Sequence, residues 1–408
     1  MKGYSAAITV GAATLCLGLA GCQIGPRAMI VASSHYSDAV RVAESEQILV
    51  NLVRLRYRDI PVFLAVSNIS TQFEFEGQAD ISGDIVSGGP DGATLGVGVR
   101  YSERPTISFS IMGGEDFQQR MLQPLQTPAI ALLAESGWRE DRVMRLTTEE
   151  VNGLKNAPQA SGPTPMRKPK FESFEEAAKL IRSLSNRRLI DFEFEIRREQ
   201  LSAALPASQV DGEDTVMAVK AGVEFEKTST GSLALIAEKR KLFLRFSPES
   251  DASPEAAQLR KLLRLDPSQR RFGFVDAEDS ELDAFEPDQV LHEMAIDARS
   301  LIGVLYYLSN GVQLPQEHVD AGVVNVTMDA NDEPFDWKEV LAGLFTVETS
   351  KKRPERAAVA VRHRGHWFYI PDDDADSKAT FLLLHDLFSL QAGDVEEIKP
   401  VLTLPVGG

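Results

Sequence analysis

His363 and His366 bracket the dipeptide Arg364-Gly365, and Asp372, Asp373, Asp374 and Asp376 follow closely. Two imidazoles near carboxylates are the donor types that hold zinc and similar divalent ions, so His363, His366, Asp372 and Asp374 are the metal-ligand candidates. Arg362 and Arg364 oppose that use, because they set positive charge beside the histidines. The aspartates immediately precede an apolar stretch of helical spacing, where carboxylates cap free amides and favour the positive end of the dipole. Their spacing lacks the twelfth-position glutamate of a calcium loop. The cluster reads more simply as a capped helix beside a hairpin, and no metal or other non-covalent cofactor is assigned.

Glu74 and Glu76, with Asp80 and Asp84, fall on one parity of an alternating stretch. Paired acids can cleave glycosidic bonds when held about 5 to 9.5 Å apart, and strand neighbours two residues apart project at roughly 7 Å. A solvated sheet face accounts for the same pattern. Arg54, Arg56 and Arg58, with Tyr57, make a basic helix end that suits the negative pole of the dipole, with phosphate or lipopolysaccharide binding as the functional alternative. Trp367, Phe368 and Tyr369 read as core and strand residues, or as a sugar-stacking or partner-binding surface. There is no GxSxG, Walker loop, HExxH or CxxC pair, and Gly96-Val97-Gly98 lies inside a strand pattern. No catalytic residue is assigned.

The elements that would position these groups follow from periodicity. Residues 36–57 are helical, with Ile48, Leu49, Leu52, Val53 and Leu55 on one stripe and Pro61 beyond the end. The period then becomes two. Ile69, Phe73, Phe75, Ala79, Ile81 and Ile85 alternate with polar residues, Ser87 to Gly92 is turn chemistry, and a second arm runs from Leu95 through Ile111. This predicts a long β-hairpin. Two short helices are expected between Glu115 and Ser136, a loop or linker over 156–170, and a helix from Phe174 to Leu184. Strands are expected at Leu189–Ile196, Thr215–Phe225, Leu233–Ala237 and Lys241–Phe246, with a helix near Glu255–Leu263. Proline-bearing acidic residues 276–288 suggest a domain boundary. Beyond it come a helix from about Asp288 to Leu308, a helical turn near Trp337–Leu344, a hairpin about Arg364-Gly365, and a helix from Ser377 to Leu390. The irregular interleaving predicts an α+β fold of two or more mixed domains. The expected division is 36–155, a linker at 156–170, then 171–275 and 276–408.

Leu19-Ala20-Gly21-Cys22 closes a short apolar run that Lys2 precedes. The junction resembles the lipobox of bacterial lipoproteins, which implies cleavage between Gly21 and Cys22, acyl chains on Cys22 and a lipidated tether over 22–35. Residues 1–21 are then a signal peptide. In lipoproteins of enteric type an Asp after the cysteine retains the protein in the inner membrane, so Gln23 implies the outer membrane of a Gram-negative cell. Cys16 leaves with the leader, so the mature chain has no disulfide. The net charge of −17 becomes one unit more negative when Lys2 leaves, which disfavours nucleic acid and anionic headgroups as partners.

Further stretches resemble an uncharacterised family of proteobacterial lipoproteins: Gln47 to Tyr57 (QILVNLVRLRY), Arg104-Pro105-Thr106-Ile107 and Pro400 to Val406 (PVLTLPV). That resemblance implies no activity. The expected function is a lipid-anchored, non-catalytic structural or binding role on the periplasmic face, with a homo-oligomer or an envelope protein as partner. The alternatives are an oligomeric outer-membrane pore or secretion component built from β-hairpins, to which this hairpin is similar in architecture alone, and a periplasmic polymer hydrolase.

Overall fold

A computed structural model of the protein describes residues 37–84, 92–228, 231–282, 286 and 289–392. The stretches expected as leader (1–21) and lipidated tether (22–35), with Gly21 and Cys22, the expected hairpin turn at 85–91 and the closing 400–406 stretch lie outside those residues. The fold is α+β.

Helix α1 covers 37–56, and Ile48, Leu49, Leu52, Val53 and Leu55 are all buried. It ends before Pro61 is reached. Arg58 takes a left-handed conformation (φ 60°), while the Asp59 amide donates to Arg54 O at 2.8 Å and the Arg58 amide to Leu55 O at 3.0 Å. This is the Schellman ending, with arginine where glycine is usual. It delivers Tyr57 and Asp59 just past the helix.

The chain divides into two compact units, one of 1–47, 62–114 and 393–408, the other of 48–61 and 115–392. The described part of the first carries the expected hairpin, β1 (Leu64–Asp84) and β2 (Gly92–Ile111), as a two-stranded antiparallel sheet. Its register places Ile69 opposite Ile107, Phe75 opposite Tyr101 and Ile81 opposite Leu95. A bulge between Val66 and Asn68 takes up one residue, which brings even-numbered Leu64 and Val66 opposite Ile111 and Phe109.

The second unit begins with α2 (Glu115–Leu122), α3 (Thr127–Glu135), α4 (Glu140–Thr147), β3 (Thr148–Val151), β4 (Leu154–Lys155), α5 (Glu172–Asn186) and β5 (Ile190–Gln200). Then come α6 (Gly212–Lys220), β6 (Val223–Lys227), β7 (Leu233–Phe246), α7 (Pro254–Leu262), β8 (Arg271–Asp276) and β9 (Glu293–Ala298). The remainder is α8 (Leu301–Ser309), α9 (Gln316–Asp320), α10 (Lys338–Leu341), β10 (Glu348–Ser350), β11 (Ala357–His363), β12 (His366–Pro371) and α11 (Ala375–Ala392). One sheet runs β4-β3-β9-β8-β7-β5 with β6 also on β7, and a second runs β10-β12-β11. The β8–β9 pair is parallel; every other strand pair is antiparallel.

Several expectations differ from this arrangement. The strands expected at Leu233–Ala237 and Lys241–Phe246 are one continuous strand, β7, and the expected 36–155 division does not hold, since 48–61 and 115–155 belong to the second unit. The break at 276–288 is a crossover, since β8 and β9 on either side of it pair directly; residues 171–275 and 276–392 therefore share one sheet. Residues 156–170 are an ordered part of that unit: the Ala157 amide donates to Lys170 O at 2.8 Å, and Ala157 and Ala160 are fully buried. The strand expected from Thr215 is helix α6 up to Lys220, because Asp211 and Asp214 form a reciprocal capping box at its start. The helix expected from Asp288 is β9 followed by α8, with Ser300 capping the helix by accepting from the Gly303 amide.

Candidate functional site

The hairpin β11–β12 turns through Arg364 (φ 45°) and Gly365 (φ 88°), the two left-handed residues that a two-residue type I′ turn requires. His363 and His366 are therefore opposed across the strands. They nevertheless take different partners. His363 Nε2 lies 3.1 Å from Asp59 Oδ2, and Arg364 Nη2 donates to both Asp59 oxygens at 2.8 and 3.1 Å. His366, almost fully buried, places Nε2 2.8 Å from Glu317 Oε1 on α9.

The aspartates do not join them. Asp374 caps α11, accepting from the Ser377 amide at 3.0 Å and from Ser377 Oγ at 2.6 Å. Asp372 accepts from Lys378 Nζ at 2.7 Å, and that ammonium holds its carboxyl below the usual range. The metal set of His363, His366, Asp372 and Asp374 is thus not assembled, because helix capping and a surface ion pair occupy both carboxylates. Phe368 is core; Tyr369 donates to Glu348 Oε2 at 2.8 Å, and Trp367 lies under the Arg353 guanidinium at 5.4 Å. Glu74, Glu76, Asp80 and Asp84 lie on β1 opposite Ser102, Arg100, Gly96 and Gly92.

What the fold does gather is Glu317, His318 and His366, with one donor atom of each within 4.8 Å of the others. Glu317 and His318 are adjacent in a short polar stretch, whose only signal in the sequence is a carboxylate beside an imidazole. Tyr57 orders the group. Its hydroxyl is 2.7 Å from His318 Nδ1, and its ring meets His318 and His363 edge-on at centroid distances of 5.6 and 5.3 Å. The His318 and His366 rings stand at 4.9 Å and 80°. Burial pushes the Tyr57 phenol up to about 12, against the pull of Arg364 and Arg56. Burial also lowers His318, aided by His366 and opposed by Glu317. At neutral pH this is therefore a protonated phenol against a neutral imidazole.

Beside α9 lies a cavity of about 260 Å³ whose walls include Arg56, Asn310, Val312, Val319, Trp337 and Phe345. The basic helix end predicted from Arg54, Arg56 and Arg58 is not one surface. Arg56 is buried, donating to Thr164 Oγ1 at 2.7 Å and to Asn325 O at 3.1 Å, while Arg54 donates to Asn51 Oδ1. Burial lowers Arg56 to about 10. Arg56 Nε and Asn310 Oδ1 are buried with no hydrogen-bond partner. Gln316 and Val319 line the cavity, so α9 serves the cavity and the histidine cluster together.

The chain matches no protein-family model, no curated protein and no solved structure.

Proposed function

We propose that the chain is a lipid-anchored protein of the outer membrane's periplasmic face whose larger unit binds a small organic anion without converting it. The anchor rests on Leu19-Ala20-Gly21-Cys22 at the end of an apolar leader. Among the described residues no helix is long and apolar enough to cross a membrane. The observation that carries the binding role is Arg56. It is a buried guanidinium on a cavity wall whose hydrogen-bond acceptors among the described residues are the neutral Thr164 Oγ1 and Asn325 O, with its Nε left without a partner. A desolvated cation gains far more from an incoming anion than a hydrated one does. Val312, Val319, Trp337 and Phe345 supply apolar contact for the rest of such a ligand.

Octanoate is a suitable probe, an apolar monocarboxylate. It should raise the melting temperature of the full chain saturably, whereas octanol should not. Val319→Phe, which fills the cavity from α9 and leaves Arg56 unchanged in sequence, should abolish the shift. An equal response to octanol, or an unchanged response in Val319→Phe, would refute the cavity as the site. Separately, Cys22→Ser should lose the acyl mass and leave the membrane fraction.

A second reading has its own support. The long hairpin pairs with no third strand among the described residues, so its edges are available to other copies, as in an assembly built from hairpins.

A further inference from the structure

We propose that Glu317, His318 and His366 form a binding site for one divalent transition ion of the zinc type. The donors are two imidazoles and one carboxylate, the borderline set that such ions take, and each offers an atom within 4.8 Å of the other two. Bonds of about 2.0–2.2 Å set tetrahedral donors about 3.3 Å apart. The 2.8 Å contact between His366 Nε2 and Glu317 Oε1 is close to that separation, so a small outward shift of Glu317, half exposed on α9, admits the ion. Three protein donors leave a fourth position for water, the arrangement of open rather than closed zinc sites.

The surroundings fit the role. Metal-bound histidines are held by a hydrogen bond at their other nitrogen. Tyr57 occupies Nδ1 of His318 at 2.7 Å, leaving Nε2 for the ion, and is fixed by its own burial and by Arg364 over its ring at 5.0 Å. His366 meets Glu317 through Nε2 and is almost fully enclosed beside the I′ turn, but its Nδ1 is buried without a hydrogen-bond partner, so enclosure alone holds this ring. Two cations oppose an ion here: Lys351, 3.5 Å from Glu317 Oε2 with a largely solvent-exposed side chain, and Arg364, whose charge also acts on His318 but is paired with Asp59. His363 stays outside the site because Asp59 holds it.

The test uses the full acylated chain in mild detergent, stripped with chelator and titrated with Zn²⁺ and, for its visible spectrum, Co²⁺. One equivalent should bind, with a tetrahedral or five-coordinate Co²⁺ band. His318→Ala and Glu317→Gln, both at accessible positions, should weaken binding at least 100-fold. Tyr57→Phe should weaken it about 10-fold or more while leaving one equivalent. His292→Ala, a histidine paired with Asp266, should change nothing. His366→Ala adds to the case only if its melting is still cooperative; the Glu317 and His318 variants decide without it. No saturable binding at one equivalent, or unchanged binding in His318→Ala and Glu317→Gln, would overturn the site.

Discussion

Asp59 occupies His363 and Arg364 and so keeps that histidine apart from Glu317, His318 and His366. It follows a helix ended by a left-handed arginine, and from there its carboxylate holds His363 and Arg364 at the hairpin turn. His363 is lowered chiefly by burial, and Asp59 opposes that by stabilising the charged ring. Two outcomes follow. A buried histidine whose folded value lies below its ordinary one binds fewer protons than it does unfolded. Its contribution to stability is therefore complete above about pH 6.5 and falls as pH drops below that value. Thermal melts of chelated protein should show a lower midpoint at pH 5 than at pH 7.5. Asp59→Asn removes the opposing charge, so the ring resonances of His363 should titrate at a still lower pH than in the parent. A rise would refute the assignment of Asp59 as the stabilising partner. At this scale the sequence was half legible. His366 stands out by spacing alone, but Glu317, His318 and Tyr57 are far from it in the chain and meet only through tertiary packing.

Elements with strong local signals were readable, such as the alternating hairpin arms and the stripe of α5. Those that failed did so for physical reasons. In β9, Met294, Ala295 and Ile296 are buried consecutively, so the run carries no period that distinguishes a central strand from a buried helix. In α6, β-branched Thr215, Val216 and Val219 suggest a strand, yet the Asp211 capping box decides locally. Two predictions belong here. Arg299 is wholly buried, stacks on Tyr307 at 4.0 Å, and donates to Thr148 O and Asn156 O, tying β3 and the 156–170 segment to the end of β9. Arg299→Met removes the donor to Asn156 O, while Thr148 O keeps Asn156 Nδ2 at 2.8 Å, and should cost about 1–3 kcal/mol, read as a lower urea midpoint. Arg188, exposed at the end of α5, is left-handed at φ 56°. Arg188→Gly should relieve about 1–2 kcal/mol of strain, less about 0.4–1 kcal/mol of added unfolded-state entropy. Its melting point should rise by about 1–3 °C, while Arg188→Ala, which keeps the strain, should show no gain.

For the molecule as a whole, the decisive feature is a hairpin with strands of 21 and 20 residues that pairs with no third strand among the described residues. At about 3.3 Å per residue such a ribbon is roughly 65 Å long. Isolated two-stranded ribbons are marginal in water, and each edge presents a row of unused amides and carbonyls. Pairing between copies satisfies both edges at once. The register also sets limits on burial in lipid: Phe73 stands opposite Glu103, and Thr71 opposite Pro105, so the apolar face is interrupted at the same level on both strands. An apolar band toward the tip, from Phe75 opposite Tyr101 to Ile81 opposite Leu95, is compatible with contact to other hairpins or to acyl chains. The expected result is a discrete oligomer in mild detergent, with slow hydrogen exchange for consecutive amides along both β1 and β2, because outward amides are then paired as well as inward ones. A monomer in which half of those amides exchange at solvent-limited rates would remove pairing between copies and leave the anion-binding unit as the whole of the function. Placing Lys at Val99 and Ile107 separates the cases further, since it should disperse an assembly held by the ribbon while leaving the octanoate response of the other unit unchanged.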